Sequence, residues 1–223
     1  MSDDDPYLYP GTKTLRNRLG IRSDAELAVA ERAMVTQRIA EGVPPGDFDL
    51  AHLCAIHRHL FQDVYDWAGK VRTVELGKGG SGFMPRQFIE NGMRDVHRRI
   101  TEGRYLSGLS GTDFATQVGP IIGDVNHAHP FREGKGRTQL QYLKLLAEGA
   151  GHALDLRKLE AERWIEASRQ ANRGNYEPMS GCIVGAIADP QRQRDGDGRK
   201  EQLKVRQERT RGDAGRDDPE RER

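Results

Sequence analysis

The stretch HPFREGKGR, residues 129–137, places a histidine, a carboxylate and a Gly-Lys-Gly turn within nine positions. A helical pattern that ends near Asn126 precedes it, and another begins near Gly136. We therefore predict a loop that leads into a helix N-terminus, where unpaired backbone N–H groups and the positive end of the helix dipole point outward. Such an end binds anions, and glycine lets a phosphate approach the backbone closely.

The turn itself is the predicted phosphate site. Gly134, Lys135 and Gly136 form an anion cradle, and Arg137, in the first helical turn, can make a bidentate contact with a phosphate. Without further groups the same pattern would be read as a glycine-rich turn that only begins a helix.

Three neighbouring side chains favour a chemical role for this loop. Glu133 can hold Mg²⁺, which prefers one or two carboxylates together with phosphate oxygens. His129 can accept a proton from an attacking hydroxyl group, and Phe131 is expected to anchor the loop in the core. The set is typical of phosphoryl or nucleotidyl transfer to a hydroxyl. A zinc site built on His127 and His129 is disfavoured, because no further ligand stands at helical spacing.

Composition limits the classes of partner. The 223 residues carry 35 basic and 34 acidic side chains, so there is no overall basic field and nucleic acid is not an expected partner. No apolar run approaches the roughly 20 residues of a membrane-spanning helix, and the N-terminus lacks the apolar core of a secretory signal peptide. We expect one domain over 1–189 and, where composition becomes almost entirely charged or small, a disordered tail over 190–223.

Apolar residues recur at helical spacing through most of the body, so the predicted fold class is mainly α. Seven helices are predicted, at about 23–40, 47 or 49 to 67, 86–100, 112–126, 136–149, 158–172 and 177–188. Cys54 and Cys182 are expected to be buried free thiols. The remaining histidines are expected at surface positions of helices: His52, His57, His59, His97 and His152.

One segment between Trp67 and Pro85 breaks the helical pattern. Residues 71–76 alternate in the manner of a strand and run into the glycine-rich sequence GKGGSG at 77–82. We predict a short strand pair, a β-hairpin on the surface of a helical domain. An exposed hairpin edge can also pair with an extended segment of another protein by β-augmentation.

HPFREGKGR resembles the signature of the Fic family, His-x-Phe-x-Asp/Glu-Gly-Asn-Gly-Arg-x-x-Arg. Other segments are similar to Fic domains of bacterial effectors and toxins: YLYPGTKTLRNRLGI at 7–21, LFQDVYDWAGKVRT from Leu60, the GKGGSGFMP hairpin and ANRGNYEPM at 171–179. The resemblance implies a Fic-like helical bundle with a small β-hairpin flap next to the active-site loop. It also implies that the chain is a protein adenylyltransferase, which transfers AMP from ATP to a side-chain hydroxyl of a target protein.

The resemblance assigns roles to residues of the loop. His129 matches the general base and Glu133 the magnesium ligand, so ATP and Mg²⁺ are the implied cofactors. Gly134 and Gly136 match the backbone anion hole, and Arg137 matches an arginine that contacts the nucleotide phosphates.

The flap implied by the resemblance covers residues 72–83. In Fic domains this element docks the target segment beside the active site, which makes a target protein the expected partner. Lys78 in the flap is a candidate contact to the nucleotide or the target.

Two positions depart from the Fic pattern: Lys135 replaces asparagine, and Leu140 replaces the second arginine. In the Fic family the asparagine helps to hold the α-phosphate and the second arginine helps to orient the γ-phosphate. Losing one charge-assisted contact forfeits about 1.5 to 3 kcal/mol. Lys135 could compensate as a point charge or fill the pocket. Three functions therefore stay open: a slow adenylyltransferase, a kinase-like phosphotransferase that binds ATP in the reversed sense, and a degenerate Fic domain that serves as a protein-binding scaffold.

Regulation can also be inferred from the resemblance. Many Fic proteins carry an inhibitory helix with the pattern Ser/Thr-x-x-x-Glu-Gly/Asn, whereas QRIAEG at 37–42 begins with glutamine. We expect no built-in inhibitory helix and control by a separate small antitoxin protein or by secretion. The resemblance implies a bacterial protein that acts as a toxin in its own cytoplasm, or as an effector secreted into a host or recipient cell without a signal peptide.

Overall fold

Seven α-helices make up most of the chain that the computed structural model describes, residues 5–78 and 81–188. They are α1 (Asp24–Ala40), α2 (Leu50–Phe61), α3 (Ile89–Glu102), α4 (Gly111–Ala128), α5 (Lys135–Gly149), α6 (Ala161–Ala171) and α7 (Glu177–Ala186). The mainly helical fold class is thus confirmed. The predicted tail lies outside the described residues, and within them no helix is long and apolar enough to cross a membrane.

Helices α1 and α2 begin at polar caps, each of which accepts from an N–H group of the first turn. Ser23 accepts from the amide of Glu26 at 3.4 Å to begin α1, and Asp49 accepts from the amide of His52 at 2.7 Å to begin α2. α2 ends at Phe61, earlier than the predicted Trp67, because the chain leaves the helix in a tight turn. The other six predicted helices are confirmed and differ from the observed ones only at their ends.

The core is arranged around α4, which contacts α3, α5, α6 and α7. Its larger buried side chains are Phe114, Val118, Ile121, Ile122 and Val125. α7 lies close against α4 at Gly119, where a Cβ atom would stand 2.1 Å from the hydroxyl of Ser180. Cys54 and Cys182 are free thiols, as expected, although both are only partly buried.

The segment before the hairpin differs from its prediction. Strands β1 (Gly77–Lys78) and β2 (Ser81–Gly82) pair antiparallel, but residues 71–76 belong to no strand. The amide of Arg72 donates instead to the carbonyl of Pro130 at 2.7 Å, and the amide of Thr73 donates to the hydroxyl of Tyr7 at 3.0 Å. This extended segment is therefore hydrogen-bonded to Pro130 in the 129–137 loop and to Tyr7 near the N-terminus.

Candidate active site

His129 stands at the C-terminal end of α4 in a left-handed conformation, with φ 45° and ψ 57°. This region costs a residue with a side chain roughly 1–2 kcal/mol, so other contacts must hold it. The amide of His129 donates to Val125 at 3.2 Å, and its carbonyl accepts from Nε of Arg72 at 2.8 Å. The reversal of the chain brings the imidazole, which is 4% exposed, back towards the start of α5.

The predicted anion cradle lies where Gly134 precedes α5 with φ +80°. A Cβ atom at Gly134 would lie 2.4 Å from the ring of Phe61, so only glycine fits the backbone and the space together. Thr138 supplies the first helical N–H bond, to the carbonyl of Gly134 at 3.1 Å. The N–H groups of the first turn therefore point out of the helix end, as an anion site requires.

Glu133 supplies one carboxylate beside this cradle. One of its oxygens accepts from the amide of Gly134 at 2.9 Å, and the side chain is about half exposed. Among residues 5–78 and 81–188 no group of three or more metal-ligating side chains occurs. This donor set fits Mg²⁺, which binds through one carboxylate and phosphate oxygens, better than a metal held by protein ligands alone.

Arg137 is held from the side of α1. Its guanidinium lies 2.6 Å from a carboxylate oxygen of Glu31 and 3.6 Å from Glu133, and it stacks on the ring of Phe61 with 4.8 Å to the centroid. Glu31 is buried, and it also accepts a hydrogen bond from the hydroxyl of Tyr65. Burial, followed by this bond to Glu31, raises the pKa of Tyr65.

Lys135 turns towards the imidazole of His129. Its Nζ lies 3.1 Å from Nδ1 of His129 and 4.5 Å from the ring centroid of Phe83. The rings of Phe83 and His129 are themselves 3.5 Å apart between centroids. Three side chains from the hairpin, the loop and α5 therefore form one cluster around the histidine.

His57 corrects the sequence-based prediction of a surface histidine, because it is completely buried. Its Nε2 lies 3.0 Å from the carbonyl of Glu133, its Nδ1 accepts from the amide of Gly69 at 2.8 Å, and its ring stacks on Phe131 with 3.9 Å between centroids. Burial, with a smaller effect of Arg137, lowers the pKa of His57 to about 4. The ring is neutral at pH 7 and supports the loop. His52 is also buried, so the prediction was wrong for both residues.

Arg72 joins the segments on either side of the hairpin to the loop. Its guanidinium, which is fully buried, donates to three backbone carbonyls: that of His129 at 2.8 Å, that of Val74 at 2.7 Å and that of Met84 at 2.5 Å. A buried guanidinium is stable only with such partners. The chain on both sides of the hairpin is therefore held against the end of α4.

A cavity of about 320 Å³ opens beside the first turn of α5. Its walls combine aromatic and polar side chains, among them Phe83, Asn126, Gln139, Trp164 and Asn172. Cavities with mostly apolar walls and a few convergent polar groups are typical sites for small molecules.

The structure brings the predicted site residues together unevenly. His129 and Lys135 touch, and Arg137 lies near Glu133, whereas the side chain of Lys78 is outside the described residues. Four contributors were missed: Glu31, His57, Arg72 and Phe83. Helical spacing could have identified two of them, because Glu31 lies between Leu27 and Val35, and His57 between Leu53 and Phe61, on the buried sides of their helices.

Known proteins are similar to this chain in sequence and in fold. Residues 47–147 match the Fic/DOC family. The chain is 41% identical over 184 residues to the probable protein adenylyltransferase y4lH of Sinorhizobium fredii, covering 81% of this chain and 94% of that protein. It is 36% identical to the probable protein adenylyltransferase Fic of Salmonella typhimurium, covering 83% of this chain and 93% of the relative.

A solved structure of a bacterial effector protein has a similar fold. BepC, a VirB-translocated effector protein from Bartonella tribocorum with bound AMPPNP, superposes with a TM-score of 0.78 at 27% identity, covering 84% of this chain and 99% of that one. The helical fold and these relatives define the class of protein. The chain belongs to the Fic/DOC family.

Proposed function

We propose that this protein is an adenylyltransferase that transfers AMP from ATP to a side-chain hydroxyl of a target protein. The observation that carries the proposal is the placement of His129, which the reversed end of α4 sets beside the glycine cradle of α5. The names of the Sinorhizobium and Salmonella relatives, and the AMPPNP bound by the Bartonella protein, support it.

The transfer assigns one task to each group. A ring nitrogen of His129 accepts the proton of the target hydroxyl, whose oxygen forms a bond to the α-phosphorus of ATP. The bond between the α-phosphorus and the oxygen that bridges to the β-phosphate breaks, and pyrophosphate leaves. The N–H group of Gly136 stabilises the charge on the α-phosphate, that of Gly134 joins it once it leaves the carboxylate of Glu133, and Arg137 contacts the phosphates.

Glu133 would hold Mg²⁺ through its exposed carboxylate, with the remaining ligands coming from phosphate oxygens and water. The ion supplies charge neutralisation on the phosphates of the bound nucleotide. We place the adenosine in the cavity of about 320 Å³ lined by Phe83, Trp164 and Asn172, because it adjoins the cradle at Gly136.

The target segment is proposed to dock along the flap at 72–83. Arg72 ties the chain before the hairpin to the carbonyl of His129, and Met84 after it donates to the carbonyl of His127 at 2.9 Å. A peptide paired with this element would therefore lie near the imidazole. Lys78 remains a proposed contact to the nucleotide or the target.

A second candidate function is a Fic domain that binds proteins through its flap without transferring AMP. The contact between Lys135 and His129 favours it, because the lysine engages the group that must act as the base. In either case we propose action as a bacterial toxin in its own cytoplasm or as an effector in another cell, under the control of a separate antitoxin protein.

Labelled ATP distinguishes these functions. The purified chain and its His129→Ala variant are incubated with Mg²⁺ and a cell lysate, with ATP labelled on the α- or the γ-phosphate. Label from the α-phosphate on a protein band, lost in the variant, is the expected result. Label from the γ-phosphate alone would identify a kinase, and an absence of label together with an absence of ATP binding would leave the scaffold.

A further inference from the structure

The side chain of Lys135 does more than add positive charge to the cradle. Its Nζ lies 3.1 Å from Nδ1 of His129, within hydrogen-bond distance, and the ring of Phe83 packs against both groups. The ring of Phe83 packs on the imidazole, and the ammonium lies 4.5 Å from the centre of the same ring. The contacts with Phe83 therefore fix the orientation of the Lys135 ammonium relative to the His129 imidazole.

The chemistry of the two groups decides where the protons are. An ammonium group has three N–H donors and no acceptor, so Nδ1 of His129 must accept in this bond. A neutral imidazole carries its single proton on the nitrogen that does not accept. The proton of His129 is therefore on Nε2 when Lys135 occupies Nδ1.

We propose that Lys135 is a positioning residue that holds His129 in the tautomer protonated on Nε2 and thereby restrains it as a base. This inference rests on the proposed function for the role of His129. A target hydroxyl needs a ring nitrogen with a free lone pair, but Nδ1 is engaged by Lys135 and Nε2 carries a proton. The nearby ammonium also opposes the positive charge that His129 would acquire on accepting a proton.

The first test reads the tautomer directly and needs no activity. Nitrogen NMR spectra of the chain labelled in its histidine rings are recorded at pH 8, and the His129→Ala variant identifies the His129 signals. We expect the proton on Nε2 and a hydrogen-bond-accepting Nδ1, whose resonance moves in Lys135→Met, a substitution that keeps an unbranched stem of similar length but removes the ammonium. A proton on Nδ1, a doubly protonated ring, or an unchanged Nδ1 resonance in Lys135→Met would overturn the proposal.

The second test reads the restraint as a rate. Lys135→Asn introduces the family residue and is expected to raise AMP transfer by about tenfold, the equivalent of one hydrogen bond of roughly 1.4 kcal/mol. Lys144→Asn, on the same helix and paired with Glu148 at 3.6 Å, is the matched control and should leave the rate unchanged. A Lys135→Asn rate at or below that of the parent chain would reject the restraint. If no variant transfers AMP, the proposed function fails and the NMR comparison still decides where the proton lies.

Discussion

Nε2 of His57 donates a hydrogen bond of 3.0 Å to the backbone carbonyl of Glu133, 76 positions further along the chain. The direction of this bond follows from the other side of the ring, where the amide of Gly69 occupies Nδ1 as a donor at 2.8 Å. A side chain of α2 thus fixes the middle of the 129–137 loop, and only its neutral form can make both bonds.

The burial of His57 makes stability depend on pH. Its pKa is about 4 in the folded chain and 6.5 in the unfolded chain, so the unfolded state binds the extra proton first as pH falls. This contribution to the free energy of unfolding is present in full above pH 6.5 and is lost as pH falls towards 4. The loss at pH 4 amounts to roughly 3 kcal/mol. Urea unfolding between pH 4 and 7.5 measures this decline.

The variant His57→Gln isolates this effect from that of the carboxylates. Glutamine does not titrate, so its free energy of unfolding should be lower than that of the parent at pH 7.5 but decline less steeply in acid. His59→Gln, on the same helix, controls for the loss of a histidine and should keep the parent's steepness. Parallel curves for the parent and His57→Gln would show that His57 does not cause the decline.

Gly134 and Gly136 should respond in opposite ways to alanine. Gly134→Ala places a Cβ atom 2.4 Å from Phe61 at φ +80° and should cost about 2 to 5 kcal/mol of stability. Gly136→Ala meets nothing within 4 Å inside α5 and should keep or raise stability by up to about 1 kcal/mol, while it weakens nucleotide binding at the cradle. Thermal unfolding with and without ATP separates the two effects, and equal melting temperatures for both variants would contradict the geometry.

Glu31 and Arg137 should be energetically coupled. A double-mutant cycle with Glu31→Gln and Arg137→Met is expected to give a coupling energy of about 1–3 kcal/mol, because the carboxylate is buried and the guanidinium is only partly exposed. Arg98 and Glu102, an exposed pair at 2.7 Å, provide the comparison and should couple by no more than about 0.5 kcal/mol. Urea unfolding supplies all the energies. Similar coupling energies for the two pairs would show that Glu31 does not hold Arg137 more strongly than an exposed carboxylate would.

Leu140 should be the position where a new charge changes nucleotide preference. It follows Arg137 by three residues on α5, so an arginine there lies on the same side of the helix. Leu140→Arg is expected to strengthen ATP binding relative to AMP by about 1.5 to 3 kcal/mol, the value of a charge-assisted phosphate contact. Calorimetric titration of both nucleotides measures the difference. Leu140→Gln is the uncharged control. An equal gain in ATP affinity relative to AMP in both variants would show that the side chain at position 140 does not contact the γ-phosphate.

Local patterns predicted the parts of this fold that depend on neighbours in sequence. The helices and the start of α5 follow from apolar spacing and from Gly134, and both were predicted. The alternation of residues 71–76 predicts a strand, and this prediction is wrong because alternation does not identify the hydrogen-bond partner, which is Pro130 for the amide of Arg72. The contact of His57 with Glu133 joins distant segments, so only the apolar spacing around His57 could have indicated its burial.

The residues that shape the loop are distinct from those that depart from the Fic pattern. Its course depends on Gly134, on Phe131 and on the bond from His57, none of which involves positions 135 and 140. Asparagine and lysine codons differ by a single nucleotide, as do several leucine and arginine codons. A point mutation at either position can therefore change the charge beside the cradle while the scaffold that presents the loop persists.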